Sequence, residues 1–464
     1  MNARPCVGLL PLYLALYDEV VPHYRPQAEA FAGRVADRLA AGGLRIEVSP
    51  VCCVRAEVER AVADLTSRGV DLLATLHLAY SPSLEAVESL ASSPVPLALL
   101  DTTPAPRFAQ DATMDDLFRN HGIHGVQDLA CMLKRRGRAC CILVGHVDDD
   151  LLLQEVVATA CAARAARHLR SQRVVVFGDE FHGMGDFAVE PHVLRDALGL
   201  TVRRVDAAEL AAQVERVSEQ ELAREVAADH ERFDCSQVSP EILWANDRVG
   251  LAVRALVDGF GGGAFSLNFQ CFTREAGLPA VPFLEASKAM ARGIGYAGEG
   301  DVLTAALVGA LLAGFGEVTF TEMFCPDWEG DAVFMSHMGE CNPALAAIRP
   351  ALVEKDYLFG DVEHPAIAMF PLRPGAATLV NLAPGPADRL HIIGARVRIL
   401  DRWSRESFPD VPHFWVQPVD GGVRDFLRRY SECGGTHHLA LVVGERMEAL
   451  RRMAEMLGLD FESV

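Results

Sequence analysis

With 464 residues the chain is too long for one ordinary core, so two or three domains are expected. Half of the residues are hydrophobic, ample to fill those cores. The formal charge of −20 excludes a nucleic-acid-binding surface, which needs clustered Lys and Arg to displace counterions. Small polar molecules or other proteins remain as partners.

The apolar stretch from Val7 to Tyr17 has the hydropathy of a signal peptide, but Asp18 and Glu19 follow at once and no small-residue cleavage site is present. It reads as a buried first strand. No run approaches the roughly twenty apolar residues that span a bilayer, so no membrane segment is expected. The twelve cysteines include two adjacent pairs, Cys52-Cys53 and Cys140-Cys141, a spacing unsuited to a secreted disulfide framework. Reduced thiols in a cytoplasmic protein are expected.

Up to about residue 170, short apolar runs alternate with amphipathic segments, the pattern of βαβ units around a parallel sheet. The expected strands are Val7 to Pro11, Arg45 to Val48, Leu72 to Thr75, Leu97 to Leu100 and Ala139 to Val144. The helices between them include Gln27 to Ala41, Ala56 to Ser67 and Leu151 to Arg170. A second unit opens at Arg173, where Val174 to Asp179 reads as a strand ending in a Gly-Asp turn. The glycine run from Gly259 to Gly263 lacks GxGxxG spacing and reads as a flexible loop. Beyond Gly316 come short β-rich runs, Val318 to Phe320, Ala366 to Phe370, Thr378 to Leu382, Arg396 to Leu400 and His413 to Val416, with Pro and Gly between them. They suggest an antiparallel barrel or sandwich, on which an amphipathic helix from Gly444 to Leu457 packs. The expected fold is therefore α/β: two doubly wound domains, residues 1–171 and 172–315, followed by a β-rich, antiparallel barrel-like domain at 316–464.

Four windows carry candidate chemistry. In Gly298-Glu299-Gly300-Asp301 the flanking glycines allow a sharp turn that leaves the Glu299 carboxylate accessible, while Asp301 is placed to cap the helix that follows. Alone, this is equally a capped turn with a solvated glutamate. Glu322 stands among Phe320, Thr321, Met323 and Phe324, where an unpaired buried carboxylate would be costly, so it must be paired, metal-bound or at a strand end. His337 has apolar neighbours and alone reads as a core histidine. Gly434-Gly435-Thr436-His437-His438 reads as a turn exposing imidazole nitrogens. Two carboxylates and two imidazoles form an oxygen and nitrogen set suited to Mn²⁺, and less selectively to Mg²⁺, Co²⁺ or Zn²⁺. With open positions for two sugar oxygens, such a site would polarise a carbonyl while a carboxylate moved the C2 proton or the metal assisted a hydride shift.

Together, in order and spacing, these windows resemble the L-arabinose isomerase family, within the group that includes L-fucose isomerase. The resemblance rests on GYAGEGD and the TAAL helix after it (Gly295 to Leu307), FTE (Phe320 to Glu322), SHMGECNP (Ser336 to Pro343) and GGTHH (Gly434 to His438). It implies Glu299, Glu322, His337 and His438 as metal ligands, with the two glutamates also as acid and base. Upstream, Leu76 to Pro82 resembles the family's HTFSPA segment, pointing to His77 and Ser81. Asn120 to Gly125 resembles a segment whose histidine, here His124, serves a neighbouring subunit's site, and Phe269 resembles an aromatic lining the sugar pocket. A homotrimer or homohexamer acting on a monosaccharide is implied, with no nucleic acid or membrane partner.

The departures concern substrate. Where the family has a Gly-Ser-Gln turn facing the sugar, this chain has Leu9-Leu10-Pro11-Leu12-Tyr13. Met323 follows Glu322 where the family usually has aspartate, and Phe324-Cys325-Pro326-Asp327-Trp328 replaces its aromatic segment. Altered polar contacts point to a sugar other than L-arabinose. A catalytically silent sugar-binding relative and a metal-dependent lyase or epimerase are the alternatives.

Overall fold

The computed structural model describes residues 4–464, which fall into two compact units that part at Arg167 and His168. In the first, five parallel strands lie in the order β2-β1-β3-β4-β5: β1 Cys6–Leu12, β2 Arg45–Val48, β3 Leu72–His77, β4 Leu97–Asp101 and β5 Cys141–Val144. This is a doubly wound order, reversing at β1 and β3. All seven residues of β1 are buried, which explains the apolar run near the N-terminus: a strand covered on both faces needs no polar alternation. The helices Arg25–Ala41, Arg55–Ser67 and Asp150–Leu169 fall where the amphipathic segments place them. No helix among the described residues is long and apolar enough to cross a membrane.

The second unit opens with another parallel sheet, in the order β10-β9-β6-β7, built from β6 Arg173–Phe177, β7 Thr201–Val205, β9 Ala264–Leu267 and β10 Gly295–Gly298. Between β7 and β9 in sequence, β8 Asp234–Gln237 leaves this sheet. It pairs in parallel with β13 Ala351–Glu354, which pairs antiparallel with β14 Ala366–Met369. That small sheet ties the central residues to the C-terminal ones and is one reason why residues from 168 onward form one compact unit. The Gly259–Gly263 run differs from the expected flexible loop. Helix Pro240–Phe260 ends there, with Gly261 left-handed at φ 66° and the Gly262 N–H bonded to the Val257 carbonyl at 2.8 Å, a terminus that leads straight into β9.

The remaining strands are β11 Val318–Asp327, β12 Ala332–Ser336, β15 Gly375–Pro384, β16 Leu390–Ile399, β17 His413–Pro418, β18 His438–Val443 and β19 Asp460–Ser463. Six of them follow the order β15-β18-β11-β12-β17-β16, and a β15–β16 pairing closes the ring into an antiparallel barrel. The expected α/β architecture with a β-rich, barrel-like C-terminal part is the one observed. Helix Val302–Phe315 packs against β9 and β10 on one side and β11, β15 and β18 on the other. Burial on all sides explains its sequence, VLTAALVGALLAGF, which has no charged face. Its N-cap, Asp301, meets His438 at the start of β18.

Candidate metal centre

Glu299 follows the last residue of β10 in a left-handed conformation, φ 61°, that a residue with a side chain adopts at a cost. The surroundings hold it there. Its N–H donates to the Leu267 carbonyl at 2.7 Å, and its carbonyl accepts the Phe181 N–H at 2.9 Å. Gly300, at φ 87°, must be glycine, because a Cβ there would lie 2.6 Å from the Glu180 Cα. Asp301 then caps the 302–315 helix, its Oδ1 accepting the Thr304 N–H at 2.9 Å.

Three neighbouring strands bring the other residues to the same place. Glu322 on β11 lies opposite His438 on β18 and, on its other side, opposite Ser336 on β12, the residue before His337. Alternation along β11 puts Glu322 on the face of Phe320, whose ring meets His337 edge-on at 4.7 Å and His438 at 5.0 Å between centroids. One ligand atom from each of Glu299, His337 and His438 lies within 4.8 Å of the others. Glu322 is not in that trio, though strand register sets it beside His438.

Each imidazole is oriented from behind. His337 Nδ1 donates to Glu340 Oε2 at 2.8 Å, and that oxygen also accepts the Gly339 N–H at 2.7 Å. Tyr296 donates its hydroxyl to the other oxygen of Glu340. His438 Nδ1 lies 3.1 Å from Asp301 Oδ2, so the helix cap also orients the histidine. A carboxylate behind each Nδ1 fixes the ring and leaves Nε2 free to ligate, as histidines that bind metals are commonly held. His438 Nε2 is buried with no hydrogen-bond partner among the described residues, 3.4 Å from Glu299 Oε2. An orphaned buried nitrogen, a second imidazole and a carboxylate form a donor set that fits a divalent cation.

The electrostatics agree. Burial alone would raise the Glu299 pKa, but the imidazoles of His437, His438 and His337 hold it below the usual carboxylate range. Burial disfavours the His438 imidazolium, yet Asp301 and Glu299 outweigh that and bring its pKa up to about 9. The protein thus offers one positive charge a home between two carboxylates, and a proton and a cation compete for it.

The sequence reading of an exposed histidine turn is corrected here. The His438 side chain is 0% exposed and His437 32%, because His438 is the first residue of β18 and not part of a loop. The Glu299 carboxylate is only 12% exposed. Phe269 sits just past β9, partly exposed, between Phe181 at 5.7 Å and Phe359 at 6.1 Å. In the first unit, His77 is buried, with Nδ1 2.8 Å from Ser81 Oγ and Nε2 3.1 Å from Thr75 Oγ1. Burial lowers its pKa to about 3, so it is neutral. His124 is exposed in the first turn of helix Ile123–Arg135.

Three contributors escaped the sequence reading. Glu340 stands three residues after His337, a spacing that could have flagged it. The second contact of Asp301 was hidden behind its capping role. Phe187, stacked on His438 at 5.2 Å, comes from 251 residues away and leaves no local signal. A second acidic group, Glu225, Asp229 and Asp247, also has ligand atoms within 4.8 Å of one another. There the ammonium of Lys288 lies 2.8 Å from each of the three and occupies the position a cation would take.

Two family models match the chain. The model of the L-arabinose isomerase central domain matches residues 173–313, and that of the L-arabinose isomerase C-terminal domain residues 317–460. Between them they take in more than half of the chain. An L-arabinose isomerase from a Nocardioides species is 26% identical over 95% of this chain and 90% of its own. Those of Acidothermus cellulolyticus, 26% identical, and Herpetosiphon aurantiacus, 25%, align with 92% and 90% of this chain and 87% and 85% of their own. Among solved structures, a solute-binding protein of an ABC transporter from Agrobacterium vitis, bound with alpha-D-tagatopyranose, covers 57% of this chain and 76% of its own. Its TM-score of 0.15 and identity of 14% are too low to carry an argument. On the matches to both of its domains and to full-length relatives, the chain belongs to the L-arabinose isomerase family of aldose–ketose isomerases.

Proposed function

We propose that the protein interconverts an aldose and a ketose with a divalent cation, Mn²⁺ or in its place Mg²⁺ or Co²⁺, held by Glu299, His337, His438 and Glu322. The observation that carries this is the convergence of a carboxylate and two carboxylate-backed imidazoles within 4.8 Å, beside the strand position of Glu322. When bound, such a cation supplies Lewis acidity to adjacent carbonyl and hydroxyl oxygens. The chain's own work is proton handling. One of the two glutamates removes the C2 proton of the aldose and returns a proton to C1, while the hydroxyl proton passes from O2 to O1. Glu299, held by hydrogen bonds at its N–H and its carbonyl, is fixed in place, and Glu322 stands half-buried within β11.

A sugar other than L-arabinose is supported by the altered positions. Tyr13, past the end of β1, is buried and its hydroxyl has no partner among the described residues. Pairing between β11 and β12 slips between Met323 and Cys325, which re-aims the segment after Glu322. We read 172–315 and 316–464 as separate domains by origin, and the active protein as a cytoplasmic homotrimer or homohexamer in which His124 serves a neighbouring subunit's site, with His77, Ser81 and Phe269 as further substrate-binding residues.

The test is an assay of Mn²⁺-reconstituted protein against pentoses, hexoses and deoxy sugars. Ketose formation from one of them, with L-arabinose a poor substrate, supports the reading. Tight Mn²⁺ binding without conversion favours a sugar-binding relative, and release of water or a fragment favours a lyase.

A further inference from the structure

His437 stands beside the cation ligands but outside the convergent trio, and it is held with unusual care. Its backbone N–H donates to Asp186 Oδ2 at 2.9 Å and its Nδ1 donates to the same oxygen at 2.6 Å. One carboxylate oxygen therefore fixes both the main chain and the ring. The ring's other nitrogen, Nε2, is left 3.7 Å from Glu299 Oε2, facing the cation site. At 32% exposure this side chain, unlike His438 at 0%, is open to a molecule arriving from solvent.

Asp186 lies on the segment between β6 and helix Pro191–Leu198. That segment touches the centre three times. The Phe181 N–H holds the Glu299 carbonyl, Asp186 holds His437, and Phe187, 3% exposed, stacks on His438 with 8° between ring planes. A surface Asp–His pair of no consequence would need neither the double hydrogen bond nor the flanking contacts.

We propose that Asp186 is a positioning residue for the sugar. It locks the His437 imidazole so that Nε2 meets a substrate hydroxyl next to the oxygens at the cation. This rests on the isomerase reading above. A ring held at Nδ1 presents Nε2 in one direction, and a preorganised hydrogen bond to a hydroxyl gains affinity that a freely rotating imidazole loses to ordering. His437 acts on the substrate, and Asp186 acts through His437.

The experiment compares Asp186→Ala, Asp186→Glu, His437→Ala and the Asp186→Ala/His437→Ala double variant in the full-length protein. It reads kcat and KM on whichever sugar of the panel is converted, together with Mn²⁺ affinity by calorimetry. The expected result is a KM raised about tenfold or more by Asp186→Ala with Mn²⁺ affinity unchanged, since one preorganised hydrogen bond is being lost. Asp186→Glu should recover to within about threefold of wild type, and the double variant should be no worse than His437→Ala alone. Unchanged KM in Asp186→Ala, additive losses in the double variant, or a parallel fall in Mn²⁺ affinity would overturn the proposal. If wild type converts no sugar, the isomerase reading fails, and the same comparison is made by titrating the Mn²⁺-loaded protein with xylitol, ribitol and arabitol. Pentitol binding weakened about tenfold in Asp186→Ala upholds the positioning role, and equal binding, or none to wild type, overturns it.

Discussion

Gly298→Ala adds one methyl group and should empty the metal centre. Gly298 closes β10, and its φ lies outside the left-handed region, so alanine meets no backbone penalty and the effect is steric alone. A Cβ there would stand 2.7 Å from His337 Cε1 and 3.1 Å from Nε2, about an ångström inside ordinary contact. The imidazole has no room to retreat, because Nδ1 is tied to Glu340 at 2.8 Å and Phe320 packs against the ring at 4.7 Å. Overpacking of this kind costs about 1–3 kcal/mol, divided between strain and displacement of the ring. Ligand atoms must sit within roughly 0.2 Å of their ideal distance, so a ring displaced by half an ångström loses its bond. The expected outcome is Mn²⁺ affinity lowered about ten- to a hundredfold, with turnover falling in step and a far-ultraviolet dichroism spectrum like that of wild type. Calorimetric Mn²⁺ titration and the conversion assay read the two quantities. Unaltered affinity and turnover would refute the placement of His337 Nε2 on the cation.

Glu340→Gln should lower Mn²⁺ affinity about tenfold or more by calorimetry while leaving all four proposed ligands in place, since the carboxylate that orients His337 becomes an amide. His438→Ala should abolish ketose formation, whereas His437→Ala should leave measurable turnover; the reverse order would move the ligand to the other member of the pair. A third prediction concerns pH. Burial, and then Asp229 nearby, raise the Asp247 pKa to about 7 despite the attraction of Lys288, which faces it together with Glu225. A carboxyl whose folded pKa exceeds its unfolded value takes up a proton on folding, so its contribution is present at low pH and is lost as pH rises from about 4 to about 7. The shift sets an upper bound of about 4 kcal/mol. The Tm of wild type should therefore fall more than that of Asp247→Asn between pH 5 and 8.5, and parallel melting curves for the two proteins would contradict this.

Much of the fold is legible in the sequence because its parts follow local rules. The strands of the first unit and the barrel strands from Val318, Thr378, Arg396 and His413 announce themselves as apolar runs between turn residues. The cap at Asp301 is equally local. What is not legible depends on distant pairing. β8 has no apolar pattern because it is a short, largely exposed strand, and its partner β13 lies more than a hundred residues on. The Gly259–Gly263 run looks flexible in isolation and is a helix terminus in context. His438 reads as an exposed turn residue since nothing in GGTHH reveals that β11 and β15 will flank it. The ligand set is legible only because four weak windows stand in a familiar order; of the residues that orient it, Glu340 has a local spacing to His337, whereas the contacts of Asp301 and Phe187 with His438 emerge from tertiary packing alone. Lys288 teaches the converse. Three carboxylates within ligand distance look like a cation site until the ammonium among them is seen.

The account stands or falls on one cation held between Glu299, His337 and His438. Anomalous diffraction from crystals soaked in Mn²⁺ tests it directly, with an expected peak within about 2.0–2.3 Å of Glu299, His337 Nε2 and His438 Nε2 and the Glu322 carboxylate turned toward it. A map with no peak there, or with its peak at Glu225, Asp229 and Asp247 instead, would contradict it.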